Sequence, residues 1–263
     1  EQAADSMYTL CGKDRIHPST DGHLVMAYLF LKAQGLAGKP VADIRIDGAG
    51  KKVTRSDNCR VSDLSISSDN LTFTYEAKSL PYPIDTSYYD NEKHTQADAL
   101  SVIPFMDEMN YEGLSVSGLS DGYYGLTIGG EFIGRFTARE LERGINMALL
   151  QNTPQYKQAM KIRQMNEERW LKERKMREFY WVEYNLMRKT GMLWACNEAA
   201  VDTLRKYRPH DIFLQWNGAL WLQYMHKGIR EDCVNEQQDL VNQIYEQNKP
   251  IPLRIEIKKF TDL

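Results

Sequence analysis

The spacing of apolar side chains changes several times along the chain, and each change marks an element. Leu24, Ala27, Tyr28 and Leu31 recur at i, i+3, i+4 and i+7, one helical stripe, with Gly35 placed to stop it. From residue 41 the period drops to two: 41–46 reads as a strand and 47–50 as a turn. Residues 59–66 and 71–77 alternate around a connection at 67–70, so a small antiparallel sheet with one buried face is expected. The stretch 79–95 holds Pro81, Pro83, Tyr82, Tyr88 and Tyr89 without a period and reads as an ordered connector. Residues 114–119, 123–128 and 131–136, joined at Asp121-Gly122 and Gly129-Gly130, predict a three-stranded meander, because both dipeptides tolerate positive φ.

Helical patterns dominate the second half. Thr137 with Glu140 forms a capping box, opening a helix whose stripe is Leu141, Ile145, Ala148 and Leu149. Thr153-Pro154 opens another, and the lack of Pro or Gly from there to about Arg188 predicts one long helix. Charges of both signs alternate over 161–178. Glu168/Lys172 and Glu173/Arg177 stand in the favourable i, i+4 order, so this is a solvated face and not a phosphate track. Phe179-Tyr180-Trp181 with Tyr184 marks where the helix docks into a core. Shorter helical patterns follow at 198–204, around Trp216, Trp221 and Tyr224, and at 239–246, and the alternation at 253–257 predicts a final strand joining one of the sheets.

Composition narrows the function classes without choosing among them. The 263 residues are 42% hydrophobic and 26% charged with a formal net charge of −3, which suits one large globular domain or two smaller ones. That balance gives no electrostatic ground for nucleic acid or an anionic membrane as partner. No apolar run approaches the ~20 residues of a membrane span, and no secretory signal opens the sequence. Cys11, Cys59, Cys196 and Cys233 are scattered, with neither Cys-x-x-Cys nor zinc spacing, and read as free thiols, although spacing alone leaves a disulfide open. His94, His210 and His226 have no ligand partners at local spacing and read as structural, and His23 as packing or capping. Ser120-Asp121-Gly122 is turn chemistry, and Gly129-Gly130 cradles no phosphate because a strand continues past it.

The candidate chemistry lies near the start. Asp14-Arg15-Ile16-His17-Pro18 is followed by Gly22-His23 and the first apolar helix. In a Ser-His-Asp triad the histidine takes the serine proton while the aspartate fixes the tautomer and steadies the imidazolium. This string resembles the closing motif of the SGNH (GDSL-type) esterase and lipase family. By that resemblance Asp14 is the orienting carboxylate and His17 the general base. With the elements read above, the whole is expected to be an α+β chain. Residues 1–38 would be the C-terminal end of an SGNH α/β (flavodoxin-like) core and its last helix. Residues 39–137 would form an accessory antiparallel β region with the connector 79–95, and 138–263 a mainly helical region with a long helix.

The departure from the family pattern is the nucleophile. No Gly-Asp-Ser occurs anywhere, and thirteen residues precede Asp14. The resemblance therefore implies the C-terminal portion of a serine esterase, inactive alone. Its partners would be an upstream segment of the same polypeptide that carries the serine, and an acylated small molecule, carbohydrate or lipid. No cofactor or metal is implied, and an extracytoplasmic location is favoured by the resemblance only. The long middle section also looks like the extended C-terminal region of some large bacterial SGNH proteins. The competing reading makes 17–21 a plain helix entry and the chain a non-catalytic carbohydrate- or protein-binding accessory module, in which Asp14 and His17 are dispensable.

Overall fold

A computed structural model describes residues 9–11, 14–87 and 94–260, so Tyr88 and Tyr89 of the connector lie outside the described residues. The architecture is α+β. It divides into two compact units, Glu1–Met160 with Lys249–Leu263, and Lys161–Asn248.

In the first unit, helix α1 (Thr20–Ala33) occupies the position its apolar stripe requires. Its buried face is Leu24, Val25 and Tyr28, one position round from the expected stripe, with Ala27 exposed and Leu31 half-buried. Gly35 ends it at φ 73°: the Gly35 N–H donates to the Lys32 carbonyl at 3.0 Å and the Leu36 N–H to that of Leu31 at 3.2 Å, a Schellman close. The buried face packs with Ile84, with Ala99 of the 3-10 turn Gln96–Ser101, and with Phe105 and Met106 of the short helix α2 (Phe105–Glu108).

Two sheets follow. The mixed sheet has the order β2-β1-β5-β8, from Lys52–Asp57, Ala42–Asp47, Glu112–Ser117 and Ile145–Asn146. β1 and β5 run parallel, with Ala42 opposite Glu112 and Asp47 opposite Ser117. The antiparallel sheet has the order β3-β4-β9-β6-β7, from Cys59–Ile66, Asn70–Ala77, Leu253–Lys259, Tyr123–Ile128 and Glu131–Thr137. Both contribute to one buried cluster: Ile44, Ile46, Leu114 and Val116 from the first, Phe73, Tyr75, Leu126, Ile255 and Ile257 from the second.

Three expectations need correction here. The meander does not exist, because β5 leaves β6 and β7 for the other sheet. From Leu114 to Ser117 β5 does alternate, buried and half-buried, and that alternation alone does not say which sheet the strand joins. The expected helix through Leu149 stops at α3 (Ala138–Arg143), since Gly144 turns away at φ 93° and sends Ile145 into β8 and Ala148 into a 3-10 turn. The Thr137–Glu140 capping box that opens α3 is present. Finally, His23 is exposed, neither packed nor capping.

Helix α4 (Pro154–Val182) leads into the second unit and passes without a break into a π-helical turn, Glu183–Met187. Helices α5 (Glu198–Tyr207), α6 (Ile212–Tyr224) and α7 (Lys227–Gln247) complete that unit. Its core gathers Phe179, Val182, Met187, Ala200, Leu204 and Trp221. Of the aromatic run, Phe179 is buried, while Tyr180 and Tyr184 stay exposed and meet Trp194 edge-on, centroids 5.9 and 5.8 Å away. The expected pairs Glu168–Lys172 and Glu173–Arg177 close at 3.8 and 3.1 Å, each worth ~0.3–0.5 kcal/mol at a surface. The buried Glu183 carboxylate accepts the Trp221 indole N–H and the Trp194 backbone N–H, both at 2.8 Å. Among the described residues no helix is long and apolar enough to cross a membrane.

Candidate functional site

Thr9–Cys11 and the stretch from Asp14 to Ser19 form a closed loop on the first turn of α1. Cys11 and Pro18 make an antiparallel bridge, and the Leu10 carbonyl accepts both the Ser19 N–H and the Ser19 hydroxyl, each at 3.1 Å. A Cβ on Gly22 would stand 2.0 Å from that carbonyl oxygen, so only glycine lets the strand lie so close to the helix.

Within the loop Asp14 acts on its own backbone. Its Oδ1 accepts the N–H groups of Ile16 at 2.9 Å and His17 at 3.0 Å, an Asx-type turn helped by the left-handed Arg15 at φ 58°. The turn swings the imidazole back, so that His17 Nδ1 lies 2.5 Å from Asp14 Oδ2. A carboxylate only accepts hydrogen bonds, so Nδ1 carries the proton and Nε2 is left as the basic nitrogen. The hydrogen bond from His17, then the two backbone donors, hold the Asp14 carboxyl well below the usual carboxylate range. The same hydrogen bond, with the Asp14 charge behind it, raises His17 above the ordinary imidazole value of 6.5. The His17 side chain is 82% exposed and that of Asp14 49%. Chemically this is an oriented base whose working nitrogen faces outward.

The structure brings together the two residues singled out in the sequence. Among the described residues no serine, threonine or cysteine hydrogen-bonds to the His17 ring. Ser19 lies close by in sequence but is buried, its hydroxyl turned to Leu10 and to Asp21 Oδ1. A second carboxylate–histidine contact lies outside any sequence motif: the buried Asp21 presents Oδ2 to His94 Nδ1 at 3.7 Å. The two are far apart in sequence, so no local spacing marks them. All four cysteines are free, and among the described residues no group of three or more His, Cys, Asp or Glu side chains could hold a metal ion.

Comparison with known proteins adds two likenesses. No curated protein matches the chain. One solved structure, described as BT4096, a gut microbial diltiazem-metabolizing enzyme, is 40% identical and superposes with a TM-score of 0.92. The match covers 98% of this chain and 59% of that one, so this chain spans about three fifths of its relative's length. Residues 160–249, which take in the whole of the second unit, match the family model of the diltiazem deacetylase C-terminal helical domain. The chain is thus similar over nearly its whole length to part of a longer enzyme, and its helical unit to that deacetylase domain.

Proposed function

We propose that this chain is the C-terminal portion of a serine esterase that removes acyl groups, in which Asp14 and His17 serve a serine carried on another segment of the polypeptide. The observation that carries the reading is the 2.5 Å Asp14–His17 hydrogen bond with the rest of the ring open to solvent. The likeness to a diltiazem-metabolizing enzyme and to a diltiazem deacetylase domain supports acyl-ester hydrolysis as the reaction class. That relative's greater length leaves room for a nucleophile-bearing segment. Exposed apolar side chains support docking of such a segment: Ile16, next to His17 in the chain, and Met26, Leu29 and Phe30 of α1 are all more than half exposed.

In this reading His17 Nε2 accepts the proton of the incoming serine hydroxyl as its oxygen attacks the ester carbonyl carbon. The tetrahedral intermediate collapses, and the proton passes from Nε2 to the departing alkoxide, leaving an acyl-serine. Water, deprotonated by the same nitrogen, then releases the acid. Asp14 keeps Nδ1 as donor throughout and offsets the imidazolium charge. The finer assignment to the SGNH family belongs to the same proposal and rests on the Asp-x-x-His-Pro string alone.

The test is ester hydrolysis by the longer polypeptide that includes the segment preceding Glu1. Turnover of a p-nitrophenyl acetate-type substrate is expected there, and His17→Ala should abolish it. An active His17→Ala enzyme refutes the role given to His17.

A further inference from the structure

We propose that the helical unit holds a binding site for a small planar aromatic anion, such as an aromatic carboxylate. The inference does not depend on the esterase reading. A cavity of about 450 Å³ opens among the end of α4, the π-helical turn and the start of α6. Its apolar surface comes from Trp181, Leu186, Tyr207 and Leu214. Aromatic surface continues outward from Trp181: the Phe213 ring lies 5.3 Å from it, and Trp216, 66% exposed, lies 5.4 Å beyond Phe213. Isolated exposed aromatics are ordinary, but three in ring contact at the lip of a cavity form a stacking wall.

The charged groups at the cavity decide which ring system it suits. Lys189 and His210 line it, and among the described residues neither side chain has a hydrogen-bond or ion-pair partner. Lys206 adds positive charge nearby, its ammonium 5.4 Å from the Tyr207 ring centroid. The one carboxylate in the lining, Asp211, is already engaged by the N–H groups of Phe213 at 2.8 Å and Leu214 at 3.1 Å, where it caps α6. The Lys189 ammonium is therefore the charged lining group without a partner, and an anion attached to a flat ring can meet it while the ring stacks on Trp181. The wall that carries Leu186 is itself unusual, because a π-helical turn is a rare local geometry that is frequent at functional sites.

Isothermal titration of the full chain with 2-naphthoate, 2-naphthylmethanol and cellobiose tests the assignment. Saturable one-to-one binding of 2-naphthoate is expected, with the neutral alcohol about tenfold weaker or worse and the disaccharide silent. Lys189→Met, an exposed change that leaves the core alone, should weaken naphthoate by about tenfold, and salt at about 0.5 M should do the same to the wild type. Four results overturn the proposal: no saturable naphthoate signal, equal affinity for naphthoate and the alcohol, Lys189→Met binding as the wild type does, or a preference for the sugar. Trp181→Leu serves as a second variant, its fold checked by circular dichroism; undiminished naphthoate binding in a folded variant also overturns it.

Discussion

At the scale of single residues, Asp14→Asn separates orientation from shape. An amide in the carboxylate's place can offer an N–H to Nδ1, which moves the imidazole proton to Nε2 and removes the base. In the polypeptide that carries the nucleophile, kcat should fall by a factor on the order of 10³–10⁴. In this chain alone, NMR titration of the His17 ring should show its pKa dropping back toward 6.5, since its upward displacement comes first from the Asp14 hydrogen bond. The sign also fixes the pH profile: His17 serves as base only above its raised pKa, so activity should climb through a limb lying above pH 6.5 and fade below it. Gly22→Ala acts on the frame. Its methyl would meet the Leu10 carbonyl, so a loss of about 1–3 kcal/mol in urea unfolding is expected as the strand is pushed away. The Asp14–His17 pairing is legible in sequence because an Asx-turn spans three residues. Asp21 with His94 is not, because the fold alone brings them together.

At the scale of elements, the first residue of the π-helical turn carries a buried carboxylate. Glu183→Leu leaves the Trp221 indole N–H and the Trp194 backbone N–H without their acceptor inside the helical unit. About 1–3 kcal/mol for each orphaned donor is expected from chemical denaturation, with a changed tryptophan emission as the local sign. Helix entries were readable where a cap is chemically explicit, as at Thr137 with Glu140 and Thr153 with Pro154. Exits were harder. The stop at Gly144 is masked because Ile145, Ala148 and Leu149 continue a helical spacing by coincidence, although they lie in a strand and a 3-10 turn. The edge strand β2 leaves no apolar alternation in the sequence because its side chains are mostly polar and exposed; it is held by pairing, and by Arg55 reaching the buried Asp43 at 2.9 Å.

At the scale of the whole chain, the two sheets of the first unit share a buried acid. Glu112 on β5 accepts the Tyr75 hydroxyl from β4 at 2.8 Å and a Gln155 amide N–H at 3.2 Å, while its other oxygen has no hydrogen-bond partner. Burial pushes its pKa up to about 7 from 4.5. Below pH 4.5 the group is protonated folded or unfolded; above that the unfolded chain ionises first, so stability should decline up to about pH 7 and then level. The full drop is about 3 kcal/mol. Glu112→Gln should flatten this part of the stability–pH curve, and an unchanged slope would show that some other group governs it. Sheet membership was the part of the fold least open to sequence reading. Each strand can be seen in its own alternation, but that β5 pairs with β1, or that β9 lies between β4 and β6, depends on partners set by packing and not by any neighbouring residue.

The placement of β9 has a consequence for biosynthesis. The ribosome releases both hairpins, β3–β4 and β6–β7, and then helices α4 to α7 before Leu253–Lys259 leaves the exit tunnel. Until then each hairpin carries a bare backbone edge, with Leu71 and Phe73 on one and Leu126 and Ile128 on the other short of the strand that will cover them. The nascent chain must keep those edges from pairing with one another, or with a neighbouring polypeptide, for the time needed to add more than a hundred residues. Chaperone demand during translation should therefore be concentrated in that interval and end when the last strand slots in.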